Sequence, residues 1–291
     1  MPELPEVETV RRTLSELIVG RKIVAVGTDW EKILNGGLAE FREQLVGHSF
    51  IAVDRRGKYL LLRLDGDLTI VSHLRMEGKY ALMTDKDEPH ARFTHVWFTF
   101  SDGTELRYFD SRKFGRMTIV KTGTEMTALS GLVTIGPEPV ANDFTVADFA
   151  AKLARHRKAI KTVILDQSTV AGVGNIYADE TLWMSKIHPE QPANTLTDAQ
   201  IQELHDNIIK ELADAIRLGG TTVHSFVDAE GKSGGFQNKL NVYGRTGEPC
   251  MRCGTAIVKI KVGGRGTHFC PHCQVNPEAA ATSEANRVSE D

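Results

Sequence analysis

Apolar residues recur at helical spacing near the start of the chain, at Val7, Val10, Leu14, Leu17 and Ile18. This is the three-and-four rhythm of one buried helix face. Pro5 suits the first turn of such a helix, where no amide donor is needed, and Gly20 ends it. From Arg21 to about Lys121 the rhythm changes to short β segments such as Tyr59–Leu64 and His95–Phe100. Asp65-Gly66 and Asp102-Gly103 supply hairpin turns between them. Residues 1–132 therefore read as an antiparallel β-sandwich or barrel with one N-terminal helix.

Gly136-Pro137-Glu138-Pro139 marks residues 133–143 as a linker. The pattern then turns helical, with helices expected over Thr145–Ala154, Ala159–Asp166, Ile176–Ser185 and Asp198–Leu218. Val170–Asn175 makes a tight, glycine-bearing turn between the second and third. The fold class is α+β, with a helical domain over 144–238 and a small module over 239–275. A glycine-rich loop, 219–236, is expected to be mobile, and 276–291 to form a disordered tail. Gly231-Lys232-Ser233 looks like the end of a phosphate-binding loop, but Phe226 stands where that motif needs glycine, so the reading is rejected.

The net charge of -3 argues at first against a polyanionic partner. Distribution changes the picture. Lys239, Arg245, Arg252, Lys259, Lys261 and Arg265 face only Glu248 in the last module, and Arg55, Arg56, Lys58 and Arg63 cluster on one β segment. The tail carries much of the compensating acid. Segregated basic patches can track phosphates on a near-neutral chain. No run approaches a membrane span, and the acidic N-terminus is unlike a secretory signal. A cytoplasmic protein with reduced thiols is expected.

All four cysteines fall in two pairs, Cys250-x-x-Cys253 and Cys270-x-x-Cys273. Two such knuckles complete a tetrahedral zinc shell. The intervening Thr255–Val262 and Thr267–Cys270 are expected as strands that turn at Gly263–Gly266, carrying Arg265 outward. So small a module lacks a core, and one structural zinc ion would supply the folding energy. His268 and His272 are conceivable substitute ligands, and two redox pairs remain the competing reading.

Pro2 is a small penultimate residue of the kind that permits loss of the initiator methionine, leaving a secondary amine. An α-amino group titrates near a pKa of ~8, so part of it is neutral and nucleophilic at neutral pH. Attack on a sugar C1′ would form an iminium, the electron sink that β-elimination needs, and Glu3 is placed to exchange protons. Taken alone, this segment reads better as a plain helix start, with Glu3 and Glu6 complementing the helix dipole.

The features occur together, however, and in order. Pro2–Thr9, Arg55–Tyr59, His73–Met76, Asp110–Gly115, Gly172–Tyr177, Leu240–Arg245 and the cysteine module resemble bacterial formamidopyrimidine-DNA glycosylases over residues 2 to about 274. The resemblance implies a bifunctional base-excision-repair enzyme: a glycosylase for 8-oxoguanine and formamidopyrimidines, and an abasic-site lyase working by β,δ-elimination. It implies Pro2 as the Schiff-base nucleophile, Glu3 as the acid that helps open the deoxyribose, and Glu6 as a supporting carboxylate. Lys58 and Arg265 would complete the catalytic set, Lys58 contacting phosphate and assisting proton transfer, and Arg265 gripping phosphates around the lesion. His73, Lys161, Asn175 and Tyr243 would be further DNA contacts, Met76, Arg112 and Phe114 would fill the gap left by the flipped base, and the 219–236 loop would close over that base. Damaged double-stranded DNA would lie in a cleft between the domains of a monomer associated with the bacterial nucleoid.

The chain departs from the family where Arg92-Phe93-Thr94-His95 replaces the usual Lys-His-Asp-His, which puts Phe93 where the resemblance implies a DNA-contacting histidine, where Gly266 follows Arg265, and in a longer tail. Two other functions fit parts of the pattern. An endonuclease VIII-like glycosylase for oxidised pyrimidines would share scaffold and nucleophile. A zinc-ribbon DNA-binding protein would need no catalysis.

Overall fold

The N-terminal apolar rhythm produces α1 (Leu4–Ile18), which buries Leu4, Val7, Val10, Leu14 and Ile18. The structure is a computed structural model and describes residues 2–222 and 226–276. Two compact units divide the chain. The first runs to Thr134 and takes in Ala215–Gln237 as well; the second comprises Ile135–Asp214 and the residues from Asn238 onward.

In the first unit β1 (Ile23–Thr28), β2 (Leu34–Asn35), α2 (Gly37–Leu45), β3 (Phe50–Arg56), β4 (Tyr59–Leu64) and β5 (Leu68–His73) follow α1. Then come β6 (Lys79–Met83), β7 (Thr94–Phe100), β8 (Glu105–Phe109), β9 (Arg116–Lys121) and two helical turns, α3 (Glu125–Ala128) and α4 (Ser130–Val133). One sheet is ordered β2-β9-β5-β4-β3 and the other β1-β7-β8-β6. All neighbours are antiparallel except β2 beside β9. Both sheets and α1 share one core, in which Phe50 of β3 lies edge-on to Phe98 and Phe100 of β7 at 6.2 and 6.0 Å. The expected sandwich with its helix is present. The sequence pattern missed α2, because only Phe41 and Leu45 are buried in it and no helical rhythm stands out.

In the second unit the four expected helices are α5 (Val146–Leu153), α6 (Ile160–Leu165), α7 (Asn175–Met184) and α8 (Asp198–Arg217). Thr145 caps α5 by accepting from the Asp148 amide. β10 (Val258–Val262) and β11 (Arg265–Phe269) form an antiparallel hairpin. Its turn is Gly263-Gly264, with φ of 55° and 79°, a conformation that favours glycine at both positions. Arg265, expected within the turn, is therefore the first residue of β11 and pairs with Val262. Among the described residues no helix is long and apolar enough to cross a membrane. Residues 223–225 of the glycine-rich loop, and the expected disordered tail beyond Asn276, lie outside the described residues.

Candidate active site and nucleic-acid interface

Pro2 is buried at the start of α1, next to the N-cap Glu3. Glu6 and Glu3 form a capping box, the Glu6 Oε2 accepting from the Glu3 amide at 2.8 Å. The other Glu6 oxygen accepts from the amide of Thr221 at 2.7 Å. One buried carboxylate thus fixes both the residue after Pro2 and a backbone segment more than two hundred residues away. Gly220 makes this possible: its φ is +75°, and a Cβ there would come within 2.8 Å of Glu6. The described part of the 219–236 loop is tied down further, since Ala229 donates its amide to Thr13 Oγ1 at 3.2 Å and Gly234 to Thr222 Oγ1 at 2.9 Å.

Lys58 follows Gly57 in the two-residue turn between β3 and β4, where Arg56 pairs with Tyr59 and Gly57 has φ 55°. Its side chain is buried. His73 ends β5, and its ring stands edge-on to Tyr59 at 4.5 Å. Burial, then the charges of Arg75 and Lys58, pull the His73 pKa down to about 3. Its Nδ1 accepts the Arg75 amide at 3.0 Å, so the neutral ring carries its proton on Nε2 and remains a donor.

Met76 is half-buried on the next turn. Arg112 and Phe114 are exposed on the turn between β8 and β9, with the Arg112 guanidinium 4.9 Å from the Phe114 ring centre. Asp110, buried and not anticipated from the sequence, builds that turn: Oδ1 accepts the Arg112 amide at 3.0 Å and Oδ2 the Gly115 amide at 2.8 Å.

In the second unit, Lys161 was expected to touch DNA. The structure instead buries it completely, with Nζ 2.6 Å from Asp179 Oδ1 and donating to Thr267 Oγ1 at 2.8 Å and to the Gly266 carbonyl at 3.1 Å. Asp179 Oδ2 accepts the His268 amide at 2.8 Å. Asn175, at the start of α7, donates to the same Gly266 carbonyl at 2.9 Å, while its buried Oδ1 has no partner among the described residues. Arg265, one residue earlier, is exposed. Buried Glu180 accepts the amides of Asn241, Val242 and Tyr243 at 2.8 to 2.9 Å, and Tyr243 stands edge-on to His268 at 4.9 Å. Sequence reading missed Asp179 and Glu180, whose signal is only that two acids lie inside an apolar helix.

The four cysteine sulfurs lie within 4.8 Å of one another. Thiolates ~2.3 Å from zinc in a tetrahedron stand about 3.8 Å apart, so the cluster fits one structural zinc ion. Backbone amides of Arg252 and Cys273 and the Trp183 indole N–H point at the sulfurs, the last at 3.3 Å from Cys250 Sγ. Such donors suit thiolates. His268 is engaged by Asp179 and is no ligand. The redox reading has no support, because the short sulfur contact, 3.5 Å, joins Cys253 to Cys270 across the two pairs.

A sandwich that buries Pro2 beside two carboxylates, combined with a helix–two-turn–helix unit hydrogen-bonded to a four-cysteine ribbon, fits the class of DNA-repair glycosylases. Comparison with known proteins supplies the particular family. The formamidopyrimidine-DNA glycosylase N-terminal domain matches residues 1–117, the H2TH domain of the same enzymes matches 135–227, and the zinc finger found in FPG and IleRS matches 247–275. The formamidopyrimidine-DNA glycosylase of Latilactobacillus sakei is 56% identical over 279 residues, 96% of this chain and 100% of that one. That of Ligilactobacillus salivarius is 57% identical over 275 residues, 94% and 99% of the two chains. A Lactococcus lactis Fpg in complex with DNA containing an abasic site superposes with a TM-score of 0.90 at 45% identity, covering 94% of this chain and 100% of that one. The chain belongs to the formamidopyrimidine-DNA glycosylase family, DNA-repair enzymes for oxidised purines.

Proposed function

We propose that this protein excises oxidised purines from double-stranded DNA and cleaves the abasic site through a Schiff base on Pro2. The observation that carries the reading is the clamped first turn of α1. Glu6 holds the Glu3 amide, which leaves Pro2 little freedom to move relative to Glu3. Once Met1 is removed and the amine is free, the Pro2 nitrogen attacks C1′, the C1′–N9 bond breaks, and the base leaves with its electron pair and gains a proton. Glu3 protonates O4′ as the sugar opens, leaving an iminium. Loss of the C2′ proton then expels the 3′ phosphate, a second elimination expels the 5′ phosphate, and water releases the sugar remnant from Pro2.

Reaching C1′ requires extrusion of the nucleotide, at a cost of a few kcal/mol. Met76, Arg112 and Phe114 offset this by occupying the vacated stack, Arg112 meeting the hydrogen-bonding edge of the orphaned base. Lys58, His73, Asn175, Tyr243 and Arg265 contact the sugar-phosphate backbone. Lys161 acts differently from the other contacts: it holds the Gly266 carbonyl and so positions Arg265.

Similar solved structures include a mutant of the Lactococcus lactis enzyme with DNA containing Fapy-dG and the wild-type enzyme with DNA containing an oxidised pyrimidine. Lesion preference is therefore tested by comparing release of 8-oxoguanine opposite cytosine with release of thymine glycol. Borohydride treatment on an abasic duplex is expected to trap wild type covalently and to leave Pro2→Gly untrapped. An adduct that survives in Pro2→Gly with full yield removes Pro2 as nucleophile, and no adduct in wild type returns the protein to a non-catalytic zinc-ribbon binder.

A further inference from the structure

The turn that carries Met76 and the turn that carries Arg112 and Phe114 meet at one buried hydroxyl, that of Tyr108 on β8. The first turn runs from Leu74 to Gly78 and is closed by the Gly78 amide, which donates to the Leu74 carbonyl at 3.0 Å. The second is built on Asp110 and ends at Gly115. A Cβ added at Gly78 or at Gly115 would collide with the Tyr108 Oη. Neither glycine has the positive φ that favours this residue type, so it is the close approach of the hydroxyl that requires both.

The hydroxyl is held from its own side as well. It donates at 3.5 Å to Asp110 Oδ2, the oxygen that accepts the Gly115 amide at 2.8 Å. That bond is long, so the contact with the two glycines does most of the positioning. Behind it, the Tyr108 ring lies 5.1 Å from that of Tyr80 on β6, whose hydroxyl shares a hydrogen bond with Ser72 on β5 at 2.7 Å. Tyr80 thus ties the sheet of Tyr108 to the strand that leads into the Met76 turn. Burial, and then the neighbouring Asp110, push the Tyr108 phenol far above its usual pKa, so the hydroxyl stays protonated through the neutral range. Each turn also contains a strained residue, Arg75 with φ +55° and Lys113 with φ +57°. Conformations of this kind persist only where surrounding structure enforces them.

We infer that Tyr108 is a positioning residue for base extrusion: its hydroxyl pins the Met76 turn to the Arg112–Phe114 turn and so sets the spacing of the side chains that enter the vacated stack. The inference rests on the proposed role of those three side chains. Tyr108 is 1% exposed and acts only through them. A loosened joint matters most where a paired base has to be driven out, and least where the base is already missing.

The test uses the full-length zinc-loaded protein under single turnover, on a duplex with 8-oxoguanine opposite cytosine and on the same duplex with an abasic site instead. Tyr108→Phe removes only the hydroxyl and is expected to fold with a Tm within about 4 °C of wild type. It is expected to release 8-oxoguanine about tenfold more slowly, the effect of a slight misplacement of positioned groups, while cleaving the abasic duplex at the wild-type rate. Gly115→Ala, which puts a methyl group where the hydroxyl sits, is expected to give the same split. Equal losses on the two duplexes in Tyr108→Phe, or no loss on either, overturn the inference, and so do wild-type rates in Gly115→Ala. Phe114→Ala is the reference for the wedge itself. If it too releases 8-oxoguanine at the wild-type rate, the inference falls together with the functional reading beneath it, and the fault lies in that reading.

Discussion

At the scale of single residues, the site works by holding protonation states and rotations fixed. His73 is the clearest case, since burial beside Lys58 and Arg75 keeps its ring neutral. Between about pH 3 and pH 6.5 the unfolded chain binds a proton here that the folded chain does not. Stability is therefore lost as pH falls through that window and the loss levels off below it. Asparagine can supply an oxygen where Nδ1 accepts the Arg75 amide, without titrating. His73→Asn is expected to flatten the acid-side fall in denaturant midpoint across this window; parallel curves for variant and wild type would sink the assignment. The residue types of the proposed site, Pro2, Glu3, Lys58 and the cysteines, stand in dense motifs of the sequence. Their partners are not legible there. That Glu6 reaches Thr221 depends on a glycine allowing backbone to meet carboxylate, a contact without any local periodicity.

Among elements, the best-read parts were those with strong rhythm or strict spacing: α1, α8, the β4–β5 and β7–β8 hairpins and the cysteine knuckles. The weakest were α2, with two buried side chains, and the zinc-ribbon turn, where two consecutive glycines took the turn alone and left Arg265 in the strand. Lys161 was expected at DNA from the resemblance alone; α6 buries it against Asp179 of α7 and two groups of β11. Removing one partner of a buried ion pair leaves the other uncompensated and costs about 3–5 kcal/mol. Lys161→Met is expected to lower unfolding free energy by that order in urea titration. In an Arg265→Ala background it should add little further loss of DNA affinity, since its effect passes through the strand that presents Arg265. Fully additive losses in affinity would show instead that Lys161 reaches DNA on its own.

For the whole molecule, zinc and the sandwich core are separate sources of stability. The core of the first unit contains no residue of the cysteine module, whereas Trp183 and Val242 pack directly on Cys250 and Cys270. Zinc binding in such ribbons is worth on the order of 10 kcal/mol. Chelation is expected to shift Trp183 emission and abolish duplex binding while the β-sheet circular dichroism persists, and added zinc should restore both. Emission unchanged after verified zinc loss would contradict the indole–thiolate contact.

The division of the chain has one more consequence. The backbone passes from one unit to the other three times, at 134/135, 214/215 and 237/238. Neither unit is thus a single continuous stretch of sequence, and cutting the gene after Thr134 deprives the first unit of the Thr221 amide that Glu6 holds. Chimeras between relatives must therefore exchange 1–134 and 215–237 together, as one inherited piece written in two places.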